Sequence, residues 1–310
     1  MYRRSISSFY TLRIIRTFKS PHLEKKNFSH CTSPSLRFLA IRQVIPILKG
    51  LILSSLFLIC VATLSSCDAS KTKNLSTTDS LELKYSVLKT LPHNTKAFTE
   101  GLLFHNNKLL ESTGLNNQSW IAEVNLLTGE HDKKVTLPEQ YFGEGIAVLN
   151  GKVYQLTYQE KVGFIYDAET YEQIGEFKYQ TQGWGLTHNG THLIMSDGTN
   201  KLYFLDTTYL KPVKTLRVTD PSGAKVTNLN ELEYINDFIY ANVHETSTIV
   251  KIDPSTGAIA GRLDLSALSN ETKRMDPHAS ELNGIAFDAT ANTLLVTGKF
   301  WPKTYAISIH

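Results

Sequence analysis

From residue 67 onward the chain shows no convincing helical period. Short apolar runs alternate with polar positions and are broken by Gly, Asn and Asp. That pattern predicts many short strands joined by turns, as in an all-β sandwich, barrel or propeller. Internal repetition chooses among these. A small motif recurs as Glu100-Gly101-Leu102, Glu144-Gly145-Ile146, Trp184-Gly185-Leu186, Asn230-Glu231-Leu232 and Asn283-Gly284-Ile285, at steps of 44, 40, 46 and 53 residues. A period in the forties is the length of one four-stranded propeller blade. In the second repeat the strands EGIAVL and KVYQLTY flank Asn150 and Gly151; in the third, WGLTH and THLIMSDG flank Asn189 and Gly190. Asn-Gly between strands predicts a tight hairpin with both residues at positive φ. Residues 253–257 (DPSTG) read as another hairpin rather than a calcium loop, because Asp, Pro and Gly supply turn geometry unaided.

The fifth repeat stops after three strands, while residues 83–91 (LKYSVLKTL) form a strand with no blade of their own. Placed in the last blade, that strand closes the ring and leaves no long open sheet edge. The reading is therefore all-β: a five-bladed β-propeller over 83–310, its last blade completed by the N-terminal strand of the mature domain.

Charge divides the chain before the first blade. The totals are 32 basic and 29 acidic residues, but residues 1–66 hold ten basic side chains and one acid. Residues 67–310 are left with 22 basic against 28 acidic, a formal charge of −6 that gives no reason to expect nucleic acid. Lys49 precedes the apolar run 50–63 (GLILSSLFLICVAT), followed by Leu64, Ser65, Ser66 and Cys67. A basic region, a short apolar stretch and small residues before a cleavage point make an export signal. The cysteine after Leu-Ser-Ser fits the lipobox of bacterial lipoproteins, with Cys67 as the lipidated N-terminus. Residues 44–63 also approach the ~20 residues that span a bilayer, so an ordinary signal peptide or a single anchor stays open. This reading makes 1–66 an extension and signal, 67–82 a polar tether, and the product an exported protein held to a bacterial membrane. The cysteines are Cys31, Cys60 and Cys67, so the propeller has neither disulfide nor thiol chemistry.

Two rings of side chains follow from the repeats. The innermost strand of a blade faces the central channel, and the residue before each Gly-Leu-type pair gives Glu100, Glu144, Trp184, Asn230 and Asn283. Fourteen residues further on lie Gly114, Tyr158, Gly198 and His244; a fifth hairpin two residues longer brings Lys299 to the matching place. An inward ammonium needs an anion or carbonyl to meet it. No H-E-x-x-H, Cys/His cluster, G-x-S-x-G elbow or phosphate loop occurs. His188 and His192 flank a predicted turn and share no helix face.

The strings AFTEGLLF (97–104), ESTGL (111–115), YFGEGIAVL (141–149), GFIYD (163–167), GWGLTH (183–188), SDGT (196–199), LNELEYI (229–235), LNGIA (282–286) and TGKFWPK (297–303) span all five repeats. As a set they resemble the plant and bacterial glutaminyl cyclase family. The resemblance implies a propeller that converts N-terminal glutaminyl residues to pyroglutamyl with release of ammonia. It implies that the family's catalytic glutamate, asparagine, tryptophan and lysine fall at Glu144, Asn230, Trp184 and Lys299; the reaction's needs then make Glu144 the expected proton relay, Lys299 the oxyanion's partner and Asn230 the group that fixes the substrate's polar groups. Trp184, Tyr158, His244, Glu100 and Asn283 are then expected around the substrate. Where the plant-like pattern has tryptophan, this chain has Tyr158 and His244. Catalysis is expected to need no cofactor, no metal-ligand set is assigned, and the resemblance permits a structural calcium ion held largely by backbone carbonyls. The expected partners are peptide or protein N-termini bearing Gln, with a membrane contact through Cys67; a monomer is expected. Two other classes fit the rings less well. One is a non-catalytic cell-surface propeller that binds peptides or small ligands in its channel. The other is a propeller lactonase, whose metal Lys299 would repel.

Overall fold

Strands this short bury their apolar faces only by stacking sheet on sheet, and the chain does so radially. The computed structural model describes residues 81–310, where twenty strands form five four-stranded antiparallel sheets. Blade one holds β2 (Thr99–His105), β3 (Lys108–Thr113), β4 (Trp120–Val124) and β5 (His131–Thr136). Blade two holds β6 (Gly143–Leu149), β7 (Lys152–Thr157), β8 (Val162–Asp167) and β9 (Gln173–Lys178). Blade three is β10 (Leu186–His188), β11 (Leu193–Ser196), β12 (Lys201–Leu205) and β13 (Pro212–Arg217). Blade four is β14 (Leu229–Ile235), β15 (Phe238–Val243), β16 (Thr248–Ile252) and β17 (Ile259–Asp264). Blade five has β18 (Leu282–Asp288), β19 (Thr293–Gly298) and β20 (Lys303–Ile309), with β1 (Tyr85–Pro92) as its outermost strand. β1 pairs antiparallel with β20, from Tyr85 opposite Ile309 to Pro92 opposite Lys303. The ring closes as the orphan strand predicts.

Burial grades outward: β6 is buried throughout, whereas β13 exposes all its residues but Leu216. An apolar cluster lies at each of the five blade junctions. Ile146, Val148 and Val153 meet Leu103 and Leu110 between blades two and one; Leu91, Leu102 and Leu109 meet Ala286, Leu295 and Ala306 at the closure. Glycines let the inner strands approach. A Cβ on Gly145 would lie 2.4 Å from Leu186 N, and one on Gly185 would lie 2.0 Å from the Asn230 carbonyl oxygen. The recurring Gly of the motif is therefore a packing requirement between blades. Blade four departs from it with Glu231, whose buried carboxylate accepts backbone N–H groups of Leu102 at 3.2 Å and Ile285 at 2.8 Å. That side chain reaches across the channel interior from blade four to blades one and five.

Three details differ from the sequence reading. A helix, α1 (Ser266–Met275), links blades four and five and accounts for the long final step of the repeat. Its buried positions are Leu268, Ser269 and Thr272, so its packed face carries too little apolar character to show a period. At the third-blade hairpin only Gly190 has positive φ, whereas Asn150 and Gly151 both do. Asn189 instead caps a wider loop, its Oδ1 accepting the N–H groups of Thr191 and His192. The propeller's contacts also begin before residue 83: Leu81 packs on the blade three–four cluster and Glu82 bridges Arg262. The signal, Cys67 and most of the tether lie outside the described residues. Among the described residues no helix is long and apolar enough to cross a membrane.

Candidate active site

Four of the five ring residues sit in bulges. Register shifts interrupt the β2–β3, β6–β7, β14–β15 and β18–β19 pairings between Thr99 and Gly101, Gly143 and Ile146, Leu229 and Leu232, and Leu282 and Ile285. Glu100, Glu144, Asn230 and Asn283 lie within those interruptions. A bulge leaves its residue unpaired and re-aims the side chain. Neighbouring blades pin these bulges. Ser112 donates to the Glu144 carbonyl at 2.5 Å and is itself held by Gln155, while Ser196 donates to the Asn230 carbonyl at 2.7 Å. The second ring is equivalent by hydrogen bonding as well as by count. Gly114, Tyr158, His244 and Lys299 each donate a backbone N–H to the residue two before the ring position, namely Phe98, Phe142, Asn228 and Glu281.

One cavity of about 230 Å³ gathers both rings; its lining includes Glu100, Glu144, Tyr158, Trp184, Asn230, His244 and Lys299. Asn283 does not line it. That amide lies behind Glu100, donating Nδ2 to Glu100 Oε2 and to the Thr99 carbonyl, both at 2.9 Å. The two ring glycines do not leave open space: a Cβ at Gly114 would strike the Phe142 ring, and one at Gly198 the Trp184 ring. Sequence reasoning missed Phe98, Phe142 and Glu281, which also line the cavity. They stand two residues before Glu100, Glu144 and Asn283, and the period-2 rule of a strand puts residues i and i+2 on one face. That offset was a usable signal. Aromatic rings follow one another around the rim: Phe98–Phe142 at 6.1 Å between centroids, Phe142–Tyr158 at 5.8 Å, Tyr158–Trp184 at 6.3 Å and Trp184–His244 at 5.1 Å.

The floor is charged. Lys299 Nζ lies 2.9 Å from Glu100 Oε1 and 3.2 Å from Glu281 Oε1, with its charge 4.5 Å from the Phe98 ring centroid. Burial pulls the Lys299 pKa down, but the two carboxylates outweigh it and hold the ammonium above its usual range. Burial raises Glu100, with Lys299 opposing. Glu144 is raised well above the ordinary carboxylate range, by burial first and by the charge of Glu100 second. Among the described residues, two polar atoms of the cavity lining are buried without a partner: Asn230 Oδ1 and His244 Nδ1. The latter is 3.9 Å from Glu281 Oε1, within ion-pair range yet too long for a hydrogen bond. Among the described residues no group of three or more His, Cys, Asp or Glu could hold a metal. Both Glu231 oxygens accept backbone N–H donors.

A propeller whose cavity joins a buried carboxyl of raised pKa, a fixed ammonium and an aromatic rim is of a class suited to polar substrates. Comparison with known proteins narrows it. The family model described as glutamine cyclotransferase matches residues 57–309. The glutaminyl-peptide cyclotransferase of Arabidopsis thaliana is 38% identical over 231 residues, covering 72% of this chain and 70% of the relative. The crystal structure of Myxococcus xanthus glutaminyl cyclase superposes with a TM-score of 0.70 at 32% identity, covering 74% of this chain and 97% of that one. The chain belongs to the glutamine cyclotransferase family.

Proposed function

We propose that the protein cyclises N-terminal glutaminyl residues of peptides to pyroglutamyl, releasing ammonia, with Glu144 as the proton relay. The observation that carries this reading is that a buried carboxyl at Glu144, unpartnered among the described residues, and the fixed ammonium of Lys299 line one small cavity. In the reaction the α-amine nitrogen bonds to the γ-carboxamide carbon, and the bond from that carbon to the amide nitrogen breaks. One proton must travel from the attacking to the departing nitrogen. A carboxyl whose pKa is raised toward working pH can take that proton and return it. The developing oxyanion draws on Lys299, which offers a charged donor in a site of low dielectric. Asn230 Oδ1, buried without a partner, supplies an acceptor for a substrate N–H. Trp184, Tyr158 and His244 wall the side chain and hold the folded, near-attack geometry, where an intramolecular reaction gains most.

The same reading has the enzyme exported and tied to a bacterial membrane through a lipid on Cys67, acting as a monomer, with calcium at most a structural ion. Support for export comes from the basic, apolar and small-residue order of residues 49–67. The test of function is incubation of the purified protein with a glutaminyl peptide in the presence of EDTA. Stoichiometric ammonia and pyroglutamyl peptide are expected; an unchanged peptide would overturn the assignment.

A further inference from the structure

The candidate site holds three carboxylates around one ammonium, and they share it unequally. Lys299 has three N–H donors. Glu100 and Glu281 take two of them at 2.9 Å and 3.2 Å, whereas no ion pair within 4.0 Å joins Lys299 to Glu144 among the described residues. Glu100 cannot easily turn away, because its second oxygen is held by Asn283, which is anchored in turn on the Thr99 carbonyl. Asn283, Glu100, Lys299 and Glu281 thus form a brace between blades five and one. Around Glu144 stand Glu100 from β2, Glu160 and Tyr158 from the turn after β7, Tyr179 after β9, His244 after β15, Glu281 before β18 and Lys299 after β19. Of these Lys299 is the fixed cation, and it is already engaged.

We infer that Glu100 is a positioning residue which, with Glu281, claims Lys299 as its own counter-ion and so leaves Glu144 free to gain and lose a proton during turnover. The role in turnover rests on the cyclase reading; the charge arrangement does not. Paired directly with Lys299, Glu144 would be held as a carboxylate and would be a poor acid toward departing ammonia. When two carboxyl groups compete for one cation in a dry site, the unpaired one is pushed toward its protonated form. The like charge of Glu100 adds to that push. Glu100 therefore acts on the substrate through Lys299 and Glu144, and Asn283 acts through Glu100.

Glu100→Gln tests this, since glutamine keeps the shape and still accepts a hydrogen bond from Lys299 while losing the charge. The acid limb of kcat against pH, where Glu144 loses its proton, should move down by about 1–2 pH units. Glu100→Asp, which retains the charge, should keep the limb near that of the wild type. A Glu100→Gln profile superimposed on the wild type would overturn the inference. A second measurement needs no turnover and no substitution at Glu100: the infrared spectrum of the wild type minus that of Glu144→Gln, followed with pH. A protonated-carboxyl band that persists well above the range of ordinary carboxylates is expected; its loss by roughly pH 5 would overturn the inference. A wild-type protein that releases no ammonia yet shows the persistent band would sink the cyclase assignment and leave the charge arrangement standing.

Discussion

Replacing Glu111 by glutamine should loosen the ring where it closes. Glu111 is fully buried on β3 and accepts from Thr99 Oγ1 at 2.6 Å, His93 Nε2 at 3.0 Å and His131 Nε2 at 2.7 Å. His93 follows the closing strand β1, and its other nitrogen, Nδ1, lies 2.7 Å from the Trp301 carbonyl of blade five. With an acceptor on each side both ring nitrogens must donate, so His93 is a buried imidazolium. Burial alone lowers the His93 pKa, but the charge and hydrogen bond of Glu111 reverse the direction and raise it. Burial works against the Glu111 carboxylate too, yet the two histidines bring its pKa from 4.5 to about 2. That displacement corresponds to about 3 kcal/mol. The depressed carboxylate contributes fully above its unfolded value of 4.5, and the contribution fades as pH falls toward about 2. The raised histidine contributes fully below its unfolded value of 6.5, and its share is lost as pH rises through the folded value. The lock is therefore strongest between those unfolded values. In a domain of this size about 3 kcal/mol is roughly 6–12 °C in Tm. Thermal melts of wild type and Glu111→Gln from acid to mildly alkaline pH should diverge most near pH 5–6 and converge in strong acid. Equal melting temperatures near pH 5–6, or a constant gap at every pH, would refute the reasoning.

Two further substitutions follow from the site. Lys299→Ala removes the cation from a site that keeps Glu100 and Glu281, and should lower kcat by about 10²–10³ with a smaller change in KM; steady-state kinetics showing the reverse split would make Lys299 a substrate holder. Gly185→Ala places a Cβ 2.0 Å from the Asn230 carbonyl and 2.7 Å from Glu231 Cα, backbone atoms that cannot swing aside. It should destabilise the fold by about 1–3 kcal/mol in urea titrations and also impair turnover by moving Asn230; an unchanged midpoint would contradict the close approach of blades three and four.

Much of this was legible because a propeller repeats one solution. The step between motifs located Glu144 and Asn230 in their bulges, and the longer fifth hairpin located Lys299, whose N–H bonds the Glu281 carbonyl as Tyr158 bonds that of Phe142. What was not legible depended on contacts between blades. Asn283 occupies the same place in its repeat as Glu144, yet its partner across the blade junction is Glu100, and that turns it away from the cavity. Glu231 looked like an irregular motif residue because nothing local shows the two N–H groups that receive it. The helix Ser266–Met275 hid because Ser269 and Thr272 carry most of its buried face. The His93–Glu111 lock joins the residue after the closing strand to blade one, and the second anchor of His93, at Trp301, is 208 residues away.

In the proposed mechanism a carboxyl from blade two moves the proton that expels ammonia. Glu144→Gln, purified beside the wild type and checked for an equal melting temperature, tests it through ammonia released from a glutaminyl peptide. A fall in rate of about 10²–10⁴ in a folded protein is the predicted result; wild-type ammonia release from Glu144→Gln would contradict that role for Glu144.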